Sequence, residues 1–236
     1  MDAGLLARLR EQPAETALLL DVDGVLAPIV DRPERARVPK ETRAELARLR
    51  RGYGLVACVS GRTSVDAARI VGVEGLVYVG SHGLEVTPEA ARWQATLQGF
   101  AASVDWPVED KGLTVSFHYR EADDQEAARA ELERVAERAR SIGLRARFGR
   151  KVLELLPPIE ANKGTAIRSL LADRGLDRAL YAGDDTTDLD AFRALDGLDL
   201  AVRVAVASLE GPAVLREAAD VVVESPAELL GLLREL

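Results

Sequence analysis

Leu18-Leu19-Leu20-Asp21-Val22-Asp23-Gly24-Val25-Leu26 brings an apolar run directly onto two carboxylates spaced by one residue, then a glycine. Residues 17–20 are all apolar and read as a strand buried on both faces, as in parallel sheets. Asp21 and Asp23 then emerge at the carboxyl end of that strand, where ligands bind in open α/β sheets. A pair of carboxylates at the rim of a buried strand is costly without a compensating partner.

The same punctuation recurs along the chain. An apolar run at 55–59 meets Ser60-Gly61-Arg62, and one at 179–182 meets Gly183-Asp184-Asp185-Thr186-Thr187-Asp188. Residues 76–79 end in Gly80-Ser81-His82-Gly83, and further strands are expected at 200–204 and 221–223. Helical patterns fill 41–50 and 64–71, and Asn162-Lys163-Gly164 opens another that runs to Gly175. Strands alternating with helices predict an α/β, doubly wound parallel-sheet core of Rossmann-like type.

The middle of the chain has a different period. Residues 113–119 alternate and are rich in β-branched and aromatic side chains, as in a half-buried antiparallel strand. Residues 123–142 form an amphipathic helix with Leu132, Val135, Ala136, Ala139 and Ile142 on one face. Two more strands fit 144–148 and 152–156 around a Gly149-Arg150 turn, and Pro157-Pro158 closes the segment. The expected organisation is a core of 1–85 and 157–236 holding a smaller α+β insert, 86–156.

With 236 residues, 47% of them hydrophobic, the chain is long enough to bury a core. Its net charge of −8 argues against nucleic acid as a partner. The single cysteine, Cys58, lies in an apolar run and reads as a small core residue. No apolar stretch approaches the ~20 residues of a membrane span, and no secretory leader is evident. A cytoplasmic monomer without membrane partners is expected.

If the four polar turns converge, up to four carboxylates share one site. Two like charges ~4 Å apart repel by about 4 kcal/mol at an effective dielectric of ~20, so such a cluster needs a cation. All-oxygen ligands select a hard ion such as Mg²⁺, and no zinc spacing is present. Asp21 is then a competent nucleophile toward phosphorus, with Lys163 as a second positive charge. Ser60, Gly61 and Arg62 form the phosphate-binding turn, and Asp23 is placed to exchange protons with the leaving alcohol and the attacking water. Structural alternatives stand beside these roles. Asp21 and Asp23 fit a plain turn, Ser60 a helix cap, and Lys163 a solvated helix start, although cations are disfavoured there. Asp185 and Asp188 fit caps as well as metal support, His82 and His118 fit packed strand residues, and Glu154 fits a solvent-facing position.

The order Asp-x-Asp-Gly, Ser-Gly-Arg, Lys, Gly-Asp-Asp-x-x-Asp resembles that of the haloacid dehalogenase-like phosphatases over almost the whole chain. More narrowly, the chain resembles the trehalose-6-phosphate phosphatases through Gly80-Ser81-His82-Gly83-Leu84-Glu85, Glu109-Asp110-Lys111, Ser116-Phe117-His118-Tyr119-Arg120 and Leu153-Glu154-Leu155-Leu156-Pro157. The resemblance implies a nucleophile at Asp21 and an acid/base at Asp23. It implies Mg²⁺ held by the Asp21 carboxylate, the Asp23 carbonyl and Asp184, supported by Asp185 and Asp188. It also implies that the insert is a cap over the sugar, with Lys111, His118, Arg120 and Glu154 toward sugar or phosphate, and His82 and Glu85 on the facing loop. Val25 and Leu189 stand where members of the family often carry Thr and Glu. The implied reaction is hydrolysis of trehalose 6-phosphate. Other sugar phosphates are the alternative: glucosyl- or mannosyl-3-phosphoglycerate, or sucrose phosphate. A phosphorylation-controlled receiver module is the remote one, although its acidic pair would precede the phospho-acceptor.

Overall fold

The computed structural model describes residues 3–30, 32–149, 151–207 and 211–236. The chain divides into two compact units, Met1–Gly83 with Ala161–Leu236, and Leu84–Glu160. The joins lie two and four residues outside the expected insert of 86–156. Local bonds explain the shift: Thr87 N–H donates to the Leu84 carbonyl, and Arg145 Nη1 donates to the Ile159 carbonyl.

In chain order the first unit opens with α1 (Ala3–Glu11), β1 (Thr16–Leu20), α2 (Lys40–Leu49), β2 (Leu55–Val59), α3 (Ser64–Val71) and β3 (Val77–Val79). The second unit holds α4 (Gln94–Ala102), β4 (Val108–Asp110), β5 (Val115–His118), α5 (Gln125–Ser141), β6 (Arg145–Gly149) and β7 (Val152–Leu156). The chain then completes the first unit with α6 (Lys163–Ala172), β8 (Arg178–Gly183), α7 (Asp188–Ala194), β9 (Leu200–Val206), α8 (Ala213–Glu217), β10 (Val221–Val223) and α9 (Pro226–Arg234).

The first unit is a six-stranded parallel sheet in the order β10-β9-β8-β1-β2-β3. Its central strands β1, β2 and β8 are buried on both faces because side chains alternate between two apolar layers. Leu18 and Leu20 join α1, α2, α3 and α9 in one layer, while Ala17 and Leu19 join α6, α7 and α8 in the other. From β1 the chain proceeds outward to β2 and β3, then returns on the far side through β8. The order therefore reverses between β1 and β8, and a crevice opens at their carboxyl ends. Asp21 N–H donates to the Ala182 carbonyl across that gap, at 3.0 Å.

The second unit is an antiparallel sheet, β4-β5-β7-β6, with α4 and α5 packed on one face through Leu97, Phe100, Leu132 and Ala136. Several expectations shift here. Ile142 is not on the buried helix face: it caps the end of α5 and is 47% exposed. The expected strand 113–119 shortens to Val115–His118, and the helix expected to reach Gly175 stops at Ala172, with Gly175 turning at φ +61°. Strand β4 was not expected, because its three residues are all exposed and leave no apolar alternation. Arg150, of the expected Gly149-Arg150 turn, lies outside the described residues.

Candidate active site

The first unit gathers Asp21, Lys163, Asp184 and Asp188 at the crevice. Lys163 opens α6 behind an Asn162–Thr165 capping box, yet its side chain is only 2% exposed. Its Nζ donates to Asp21 Oδ2 at 2.6 Å and to Asp188 Oδ1 at 2.7 Å. The solvated-lysine alternative therefore falls, since burying an ammonium requires such partners. Asp21, Asp184 and Asp188 offer oxygen atoms all within 4.8 Å of one another. Gly24 lets this happen. Its φ is +76°, and a Cβ there would sit 2.0 Å from Asp184 Oδ2, so neither the turn nor the close approach tolerates a side chain.

Asp23 leaves the cluster. Its two carboxylate oxygens accept from Arg62 Nε and Nη2 at 2.6 and 2.7 Å, a bidentate pair at the rim of the crevice. The hydrogen bond to Asp23 is the main reason the Arg62 guanidinium is held above its usual pKa. Arg62 is thus engaged by Asp23. Ser60 is buried and does not cap α3: that role falls to Thr63, whose Oγ1 accepts from Asp66 N–H. The Ser60 carbonyl accepts from His82 N–H at 3.0 Å, and the His82 ring covers Gly61, where a Cβ would come within 2.6 Å of it. Ser81 and His82 hold φ angles of +51° and +53°, uncommon for residues with side chains. Ser81 Oγ is buried with no hydrogen-bond partner among the described residues. Asp185 is exposed and turns its Oδ1 back onto Thr186 N–H at 2.6 Å, outside the three-carboxylate cluster.

Electrostatics decide what the cluster lacks. Three carboxylates face one ammonium. Burial, reinforced by Asp188, pushes the Asp21 carboxyl up to about 7 in spite of Lys163. Burial, then Asp21 and Asp188, pushes Asp184 up to about 8. Burial opposes the charge of Lys163, but Asp21 and Asp188 hold its ammonium above the ordinary range. A hard divalent cation fits this site: the donors are all oxygen, the charge is uncompensated, and the two raised carboxyls would ionise beside it.

The second unit carries a separate polar surface. Register places Glu109 opposite Ser116, Ser116 opposite Glu154, and Glu154 opposite Arg147. One polar row thus crosses all four strands on the sheet face away from α4 and α5. His118 Nε2 lies 2.9 Å from Glu109 Oε2, Lys111 Nζ lies 3.3 Å from the same oxygen, and Arg147 pairs with Glu154. Against the cost of burial, His118 and Lys111 hold Glu109 below its usual pKa. Arg120 is exposed in the turn after β5, its carbonyl accepting from Gln125 Nε2 at 2.8 Å. Glu85 is half-buried near the start of this unit.

The sequence model of the family described as trehalose-phosphatase matches residues 19–106 and 106–218. The chain belongs to the trehalose-phosphatase family. It is 35% identical over 207 residues to a trehalose-phosphate phosphatase of Mycobacterium avium (strain 104), covering 77% of this chain and 51% of the relative. It is 33% identical over 217 residues to a probable trehalose-phosphate phosphatase D of Arabidopsis thaliana, covering 77% and 57%. The chain thus spans 51–57% of the length of these curated relatives. A solved trehalose-6-phosphate phosphatase related protein superposes with a TM-score of 0.73 at 25% identity, covering 92% of this chain and 95% of that one.

For a member of the trehalose-phosphatase family, the structure adds residues that sequence reading passed over. Tyr181 sits inside an apolar strand and reads as core, yet its hydroxyl reaches Asp188. The only signal was that a buried tyrosine needs a polar partner. Arg147 alternates with Ala146 and Phe148, a pattern that gives its face but not its neighbour Glu154. No helix among the described residues is long and apolar enough to cross a membrane.

Proposed function

We propose that the chain is a Mg²⁺-dependent phosphatase that hydrolyses trehalose 6-phosphate through an aspartyl-phosphate on Asp21. The observation that carries this reading is the Asp21 carboxylate, buried, its pKa raised to about 7 and already fixed by Lys163 at 2.6 Å, so that added positive charge would favour its ionised form. Mg²⁺, held by Asp21, Asp184 and the Asp23 carbonyl and supported by Asp185, would neutralise the carboxylates and the phosphate dianion and so lower their mutual repulsion.

The chain's own groups supply the rest. Asp21 attacks phosphorus as the bond to the sugar oxygen breaks, and Asp23, having given up one Arg62 bond and taken a proton from solvent, delivers that proton to the sugar oxygen. Asp23 then takes a proton from the water that cleaves the acyl phosphate. Both Asp23 oxygens are held by Arg62, so one of those bonds is exchanged when Asp23 meets the leaving group. Lys163 keeps a third N–H for a phosphoryl oxygen, and Ser60 Oγ with neighbouring backbone N–H groups takes the others.

The second unit acts as the specificity cap. Its open face pairs Glu109 with Lys111 and the His118 ring, and Glu154 with Arg147. Such pairs present an acceptor beside a donor, which suits neighbouring sugar hydroxyls. The charges of Lys111 and Arg147 are balanced by Glu109 and Glu154, and this favours a neutral disaccharide over the glycosyl phosphoglycerates. Phosphate release should be measured across trehalose 6-phosphate, sucrose phosphate and a glucosyl-3-phosphoglycerate, with and without Mg²⁺. Trehalose 6-phosphate should exceed the others by at least about 100-fold in kcat/KM, some 2.7 kcal/mol of discrimination. Equal rates across the panel would overturn the substrate assignment.

A further inference from the structure

Tyr181 is fully buried in β8 and packs edge-on against Phe192 of α7, ring centroids 6.1 Å apart. Its hydroxyl donates to Asp188 Oδ1 at 2.6 Å. The same oxygen accepts from Lys163 Nζ at 2.7 Å, and Oδ2 accepts the backbone N–H groups of Asp184 and Asp185, each at 2.9 Å. A carboxylate offers about four lone-pair sites, and Asp188 commits all of them to protein donors. Asp184 shows no such saturation: no protein donor meets its side-chain oxygens among the bonds that hold this turn. The three carboxylates are therefore not equivalent, although they lie within 4.8 Å of one another.

We propose that Tyr181 is a positioning residue of this site. Its hydroxyl completes the set of donors around Asp188, so that Asp188 fixes Lys163 and the Asp184-Asp185 turn rather than joining Asp21 and Asp184 around a cation. The inference rests on reading the site as that of a metal-assisted phosphatase. Its consequence is a division of labour. One oxygen of Asp188 aims the ammonium that touches Asp21, and the other sets the backbone from which Asp184 projects. Removing the tyrosine hydroxyl frees a lone pair on Oδ1. Asp188 then becomes available as an extra ligand, and Lys163 loses the fixed anchor that aims its remaining N–H.

Tyr181→Phe keeps the ring and its packing on Phe192 and removes only the hydroxyl. The wild-type chain and the variant should be compared by calorimetric titration with Mg²⁺ alone, by thermal melting, and by steady-state kinetics on trehalose 6-phosphate and p-nitrophenyl phosphate. A hydrogen bond to a charged group sets the scale: kcat should fall about 10- to 100-fold. KM should stay within about threefold, since uniform binding is untouched. Mg²⁺ affinity should rise by at least about threefold as Asp188 joins the ligands. Unchanged kcat and unchanged Mg²⁺ affinity overturn the proposal, as does a loss of activity that only tracks the folded fraction. If trehalose 6-phosphate is not hydrolysed by the wild type, the substrate assignment fails alone. The titration and p-nitrophenyl phosphate then still decide the role of Tyr181. Absence of Mg²⁺ binding by the wild type overturns both.

Discussion

Both units of this protein set carboxylates against cations, and the two sets differ chiefly in solvent. In the first unit Lys163 is 2% exposed, bonded to Asp21 at 8% and Asp188 at 0%. In the second, Arg147 is 52% exposed beside Glu154 at 17%, and Lys111 is 28% exposed beside Glu109 at 51%. A buried pair pays a large desolvation cost and is severely disturbed when one partner goes. An exposed pair contributes little to stability, and its partners exchange readily with water or ligand. The same chemical pairing is thus held fixed in one place and left interchangeable with solvent or ligand in the other.

The largest effect should come from Asp21→Asn. Turnover should drop by more than about a thousand-fold through loss of the nucleophile. The melting temperature should hold, because Lys163 keeps Asp188 and one of three crowded carboxylates is neutralised. Unchanged phosphate release would remove the covalent mechanism. Next comes Lys163→Met, which leaves Asp21, Asp184 and Asp188 uncompensated. In cation-free buffer, denaturant unfolding should register a loss of about 3–5 kcal/mol, and activity should fall at least about 100-fold.

The third test separates the units by pH. Asp21 and Asp184 have folded pKa values of about 7 and about 8, above the ordinary carboxylate value of 3.8. The folded state therefore binds more protons than the unfolded state between those limits, and stability falls as pH rises through them. Melting of the chelator-treated protein should decline from about pH 4 to about pH 8, and Mg²⁺ should flatten the slope. A flat profile without Mg²⁺ would remove the electrostatic case for a cation. The smallest effect is expected for Arg147→Ala. It should cost less than about 1 kcal/mol of stability after solvent screening, yet raise KM for trehalose 6-phosphate several-fold with kcat little changed. A large fall in melting temperature would show that the cap pairs are structural.

Particular elements show what could be read in advance. The strands at Thr16–Leu20 and Leu55–Val59 were legible because fully buried parallel strands are short apolar runs bounded by turns. Strand β4 was not, because Val108, Glu109 and Asp110 are all exposed and owe their extended form to pairing with β5. Ile142 misled because periodicity has no information on where a helix stops. In the site, Asp21, Asp23, Ser60, Lys163 and Asp184 were legible as polar residues placed immediately after apolar runs or at a helix start.

The opening segment, Asp21-Val22-Asp23-Gly24, determined by itself that two carboxylates would stand at the end of a buried strand, since burial forces polar groups to the strand's exit. Tertiary structure decided their division of labour. Asp21 turns inward to Lys163, and Asp23 turns outward to Arg62. Tyr181 meets Asp188, and Arg147 meets Glu154. These are meetings between residues that chain spacing does not relate or relates only through a turn. Sheet order and register bring them together, and periodicity along one strand carries no record of its neighbours.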